Sequence, residues 1–191
     1  MVTHNALKSL HGDGPKNSYV ADAHGVKGGV ERPQTIYTPP CIIDRLLAFW
    51  PAGIAMDPCA GAMENVPADQ WVSEDPPGKY WLEDRCGAVS LDDSGGLGVQ
   101  WPRRTYVNPP YKHLKKWLPK IATAWECVAL VPVRPHRKWW RAAVLDLKVL
   151  YLDPLKFVGY TQAFPAPLCL LYTGARRSEF AETFGDLGGF I

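Results

Sequence analysis

Asn108, Pro109, Pro110 and Tyr111 follow directly on Tyr106 and Val107, and their types suit the handling of an amino group. Tyr106 and Val107 favour extended structure, so residues 103–107 read as a buried strand. The residue before a proline is pushed out of the helical region, and each proline fixes its own φ. The tetrapeptide is therefore a stiff loop at a strand end, with little freedom to lose on binding. Its prolines carry no N–H, so it presents acceptors: the Asn108 side-chain carbonyl and the peptide carbonyls of Pro109 and Pro110. Tyr111 adds an aromatic face. Rigid acceptors beside a flat ring suit a planar guest whose NH2 is held while its ring is stacked upon. A proline turn that only ends a strand is the plainer reading.

A second constellation is Asp57-Pro58-Cys59-Ala60-Gly61, directly after the apolar run Ile54-Ala55-Met56. A carboxylate at a strand's C-terminal end, followed by small residues, is how open α/β sheets bind nucleoside cofactors. Small side chains let a ligand approach the backbone N–H groups. The plainer reading is a tight strand–helix turn with a capping Asp. Two later acidic pairs, Glu74-Asp75 and Glu83-Asp84, follow short strand-like stretches at 70–73 and 79–82. Either pair could accept hydrogen bonds from ribose hydroxyls, and their spacing from Asp57 does not decide between them. Further on, Arg134, Arg137, Lys138 and Arg141 interleave with Trp139 and Trp140. That segment reads either as a phosphate-contacting edge or as a solvated helix face with its tryptophans in the core.

The elements that must position these groups are legible in outline. Tyr37-Thr38-Pro39-Pro40 reads as a helix entry with Thr38 able to cap, and Ile42, Ile43, Leu46, Leu47 and Trp50 recur at helical spacing. Leu114, Trp117, Leu118, Ile121 and Trp125 predict a helix over 114–126, in which Pro119 predicts a kink or restart. Residues 127–131, 149–152 and 168–172 read as strands, the last closing on an antiparallel edge. Strands alternating with helices predict an α/β fold with a mostly parallel sheet and helices on both faces. Residues 1–36 have no period and predict a mobile N-terminal arm, leaving 37–191 as one catalytic-sized domain.

Composition narrows the partners. A chain of 191 residues that is 47% hydrophobic can bury one real core. Its net charge of +2 is too small to establish a nucleic-acid partner, so local clustering must carry that argument. Five cysteines without a C-x-x-C spacing argue against a disulfide framework or a zinc site and fit a reducing cytoplasm. His113 and His136 read as surface residues, and no metal is expected. No stretch has the length and apolarity of a membrane span, and the N-terminus lacks a signal-peptide core.

With these pieces in order, residues 35–173 resemble the phage-type DNA N6-adenine methyltransferases, the Dam family of bacteriophages and prophages. Asn108-Pro109-Pro110-Tyr111 looks like motif IV of that family, Asp57-Pro58-Cys59-Ala60-Gly61 like its motif I, and Tyr37-Thr38-Pro39 like its motif X. Gly96-Leu97 ahead of Trp101, the run from Leu130 to Arg134 with Trp139-Trp140, and Leu155-Lys156-Phe157 are similar to local features. The chain departs in its longer stretch from Asp69 to Ser94, where the ribose-binding acid would lie.

The resemblance implies a Rossmann-like methyltransferase fold, S-adenosylmethionine as cofactor and DNA as partner. Tyr37, Thr38, Pro39 and the motif I residues would hold the cofactor, with Glu83 and Asp84 as candidate ribose ligands. Asn108, Pro109, Pro110 and Tyr111 would act on a flipped-out adenine. Arg134, Arg137, Lys138, Arg141, Lys156 and Phe157 would meet the nucleic acid. Two other readings stay open: an amino methyltransferase acting on RNA adenine or protein glutamine, and a non-catalytic nucleotide-binding domain.

Overall fold

The structure is a computed structural model that describes residues 37–61 and 66–190. The expected arm, residues 1–36, lies outside the described residues. The first helix, α1, spans Pro40–Phe49 and buries Ile42, Leu46 and Phe49 along one stripe. Pro39, not Thr38, is the residue ahead of its first turn, and no side chain caps it. After the turn at Gly53, whose φ of 83° favours glycine, β1 runs Ile54–Gly61. The strand expected to stop at Met56 therefore continues through Asp57, and its register shifts between Asp57 and Gly61.

The ambiguous stretch after β1 is a meander: β2 (Ala68–Glu74), β3 (Tyr80–Asp84) and β4 (Gly87–Ser90), with β2–β3 and β3–β4 antiparallel. The strand ahead of Asn108 is β5, Thr105–Val107. A short turn over Tyr111–His113 leads into α2, Leu114–Thr123. Pro119 lies inside α2 without breaking it. Next come β6 (Cys127–Pro132), α3 (Lys138–Val144), β7 (Lys148–Leu152) and β8 (Leu168–Tyr172), followed by α4 (Arg177–Phe184) and β9 (Gly188–Phe190).

The nine strands among the described residues join one sheet in the order β4-β3-β2-β1-β5-β6-β8-β7-β9. The expected mostly parallel, helix-flanked Rossmann-like sheet is not found. Three neighbouring pairs are parallel (β1–β2, β1–β5, β5–β6) and five are antiparallel. Connection length explains the difference. A helical crossover takes a dozen or more residues. Residues 75–79 and 85–86 link β2 to β3 and β3 to β4, so those pairs close as hairpins. Among the described residues, only α2 of the helices joins two adjacent parallel strands, β5 and β6.

The buried strands sort their side chains by alternation. Val128 and Leu130 of β6 meet Ile42, Leu46, Phe180 and Phe184 on one side. Cys127, Ala129 and Val131 meet Leu114, Trp117, Leu118 and Trp140 on the other. The shared result is a rigid centre, β1–β5–β6–β8, from whose edge the candidate residues emerge. Among the described residues no helix is long and apolar enough to cross a membrane.

Candidate active site

Strands β1 and β5 are parallel neighbours, with Met56 opposite Thr105. Their C-terminal ends therefore leave the sheet side by side. Continued from that pair, Asp57 comes level with Tyr106, and Pro58 and Cys59 with Val107 and Asn108. The Asn108 backbone N–H donates to the Cys59 thiol, and Cys59 is in turn coupled to Asp57. Asp57 is 3% exposed, and its Oδ1 accepts the Cys59 backbone N–H at 3.0 Å. Burial pushes the Asp57 carboxyl up to about 6, because the Cys59 hydrogen bonds recover only part of the lost hydration. Pro58 and Ala60 are buried with it, and Gly61 ends the strand.

The residues ahead of α1 close on the same place. Thr38 Oγ1 and the Tyr106 hydroxyl lie 3.0 Å apart, both buried. Thr38 thus tethers the entry of α1 to β5 and does not cap the helix. Pro39 is buried and Tyr37 half-buried beside it. Gly96 fixes the other flank: a Cβ there would lie 1.7 Å from the Pro58 carbonyl oxygen, so only glycine permits this approach. Its carbonyl accepts from Trp101 Nε1 at 2.8 Å, and Lys120 Nζ donates to the Leu97 carbonyl at 2.7 Å and to that of Val99. The Gly96–Trp101 stretch thereby ties Pro58 of β1 to α2, which follows the Asn108–Tyr111 loop.

Within the tetrapeptide, Pro109 is buried, Pro110 exposed and Asn108 half-buried. The Tyr111 ring is less open than expected. It packs edge-on against Phe164 at 5.5 Å. Its hydroxyl is buried and has no hydrogen-bond partner among the described residues. Burial, with Cys169 and Cys59 nearby, raises that phenol well above its ordinary value. A buried polar atom without a partner costs on the order of 1–3 kcal/mol, which marks this corner as one that gains from an added donor or acceptor.

The acids divide by strand direction. Strand β3 runs against β2, so its last residues point back toward the opposite end of the sheet. Asp84 pairs with Gln70, and its carboxylate closes the β3–β4 turn by accepting the N–H groups of Cys86 at 2.7 Å and Gly87 at 3.0 Å. That role removes Asp84 from the ribose position expected for it. Glu83 lies level with Asp57 but two strands away, and accepts the Ser73 hydroxyl. Glu74 and Asp75 leave β2 at the end shared with β1. Glu74 Oε1 there accepts the Gly78 N–H at 2.8 Å.

The cationic segment begins at the end of β6, which is parallel to β5, and so leaves the sheet edge that carries Asn108. Arg137, Lys138 and Arg141 are exposed and Arg134 half-buried. Arg134 is pushed down from its ordinary value by burial and then by Arg137. Arg141 Nη1 donates to the Pro135 carbonyl at 2.8 Å. Among the described residues none of these four cations pairs with a carboxylate. Trp140 is core and Trp139 half-buried, so the segment turns its tryptophans inward and its cations outward. Lys156 is exposed. Phe157, expected to stack on a base, is 3% exposed and sits edge-on to Phe164 at 5.5 Å. It belongs to the core, because the 153–167 connection passes over the apolar cluster before reaching β8.

Sequence reasoning missed the hydroxyl of Tyr106, read only as a strand former, and Phe164, whose partner Tyr111 is too remote in sequence to be signalled. Comparison of the chain with known protein families, curated proteins and solved structures gives no match.

Proposed function

We propose that this chain is an S-adenosylmethionine-dependent methyltransferase acting on the exocyclic amine of an adenine flipped out of DNA. The observation that carries the reading is the meeting of Cys59 with Asn108 across the ends of β1 and β5. It joins a segment suited to a charged nucleoside cofactor to a segment suited to an amino group.

The residues present fit the cofactor. Its cationic end would find the buried Asp57 carboxylate, whose raised value reports a negative charge short of partners. The orphaned Tyr111 hydroxyl offers a further polar contact. When bound, S-adenosylmethionine supplies an electrophilic methyl group. Asn108 and the Pro109 carbonyl would accept hydrogen bonds from the target NH2 and turn its lone pair out of the ring plane. The attacking amine is neutral and the leaving group activated, so no base is needed before transfer. The contribution of the protein is positioning and electrostatics. Adenine in a duplex must leave the stack to reach such a loop. The exposed cations beside it suit the flanking phosphates.

Incubation with S-adenosylmethionine and DNA of mixed sequence, followed by nucleoside mass spectrometry, tests this. N6-methyldeoxyadenosine is expected. N6-methyladenosine formed only in RNA, or tight cofactor binding without turnover on nucleic acid or peptide, would replace the proposal with one of the alternatives.

A further inference from the structure

The connection between β7 and β8 has a character the site does not use. Strand β7 ends, and β8 begins, at the edge where β6 ends, with Pro132 opposite Leu168 and Tyr151 opposite Cys169. The 153–167 loop therefore stands beside the candidate site. Its root is firm: Phe157 is buried, Phe164 packs on both Phe157 and Tyr111, and Phe164 N–H donates to the Leu155 carbonyl at 2.8 Å. The Val133 N–H donates to the Pro167 carbonyl at 2.9 Å, which ties the loop to the start of the cationic segment.

The tip is the reverse of the root. Residues 158–163 are all exposed. Gly159, at φ 83°, turns the chain with open space where a Cβ would lie. Val158 and Tyr160 stay 46% and 40% exposed despite their size. No charged residue occurs from Phe157 to Tyr172, while Lys156 and Arg134 stand at the flanks. An uncharged tip carrying a ring, set between cations on a stiff base, is chemically matched to the interior of a stacked duplex flanked by phosphates. Apolar side chains inserted between base steps unstack them.

We propose that Tyr160, with Val158 behind it, enters the DNA duplex at the position the target adenine vacates and holds the gap open. This rests on the DNA-adenine reading given above. Tyr160 touches no reacting atom and acts by stabilising the flipped state.

The test is single-turnover methylation by the full chain on two duplexes, one with the target adenine paired and one with an abasic site opposite it. Tyr160→Ala should slow transfer about tenfold or more on the paired duplex and approach the wild-type rate on the abasic one. Tyr160→Phe, which keeps the ring, should match wild type on both. Cofactor affinity should not change. A Tyr160→Ala rate equal to wild type on the paired duplex, or equally depressed on both duplexes, overturns the inference while leaving the function intact. A wild-type protein that methylates no adenine in either duplex overturns the function, and the inference with it.

Discussion

Thr38 Oγ1 lies 3.0 Å from the Tyr106 hydroxyl across 68 residues of sequence, and both groups are buried. The pair locks the approach to α1 onto the strand that ends in Asn108. Tyr106→Phe deletes one partner and leaves the other unsatisfied, which should cost about 1–3 kcal/mol. Thr38→Val combined with Tyr106→Phe removes both polar groups and should recover most of that loss. Urea denaturation of the two single variants and the double variant measures the coupling. Strictly additive losses would show that the two hydroxyls do not act as a pair.

Asp57 should make the protein pH-dependent in a defined direction. Its folded value, about 6, is above the ordinary carboxylate value of 3.8. The fold therefore favours the neutral form. That contribution is fully present below pH 4 and is lost as pH rises through 6. The difference corresponds to about 3 kcal/mol. Asp57→Asn should remove this dependence, so the variant gains stability relative to wild type between pH 4 and 7 without ligand. Affinity for the cationic cofactor should run the other way, rising with pH through about 6 in wild type and staying flat in the variant. Chemical denaturation and titration calorimetry at pH 5 and 7 read the two effects. A wild type and variant with parallel pH profiles would remove Asp57 from both roles.

The cationic edge predicts a salt-dependent partner. Neutralising Arg137, Lys138 or Arg141, exposed and without carboxylate partners among the described residues, should lower the slope of log affinity against log salt by about one unit per lost phosphate contact. Fluorescence anisotropy of a labelled duplex over a salt series measures it. Three variants that keep the parent slope would make the segment a solvated helix face and nothing more.

How much of this was legible depended on the range of the interactions. Periodicity exposed α1, α2 and β6, because each buries a stripe or a whole strand of its own residues. Asp57 and Asn108 could each be singled out by local chemistry alone, the carboxylate before small residues and the acceptor before prolines. Sheet order and direction were not legible. Nothing within β3 says that it turns back on β2, and that reversal is what carries Asp84 away from the strand ends. Phe157 misled for a related reason: an aromatic beside a lysine looks like a stacking residue until the whole loop is seen to cross the core. Gly96 stood out only by its place ahead of Leu97 and Trp101, and its reason, the Pro58 carbonyl pressed against it, exists only in three dimensions.

Asn108 carries the central claim, and the rate of a single methyl transfer tests it most directly. Asn108→Ala deletes the side-chain acceptor and leaves Pro109 and Pro110 to hold the loop. Measured as transfer of labelled methyl from saturating S-adenosylmethionine to duplex adenine, the variant should bind cofactor and DNA as wild type does. It should react a few hundredfold more slowly, the effect of losing one preorganised hydrogen bond worth about 3–4 kcal/mol. A variant that binds normally and transfers at the wild-type rate would contradict the assignment of Asn108 to the target amine, and with it the reading of the joined ends of β1 and β5 as a methyl-transfer site.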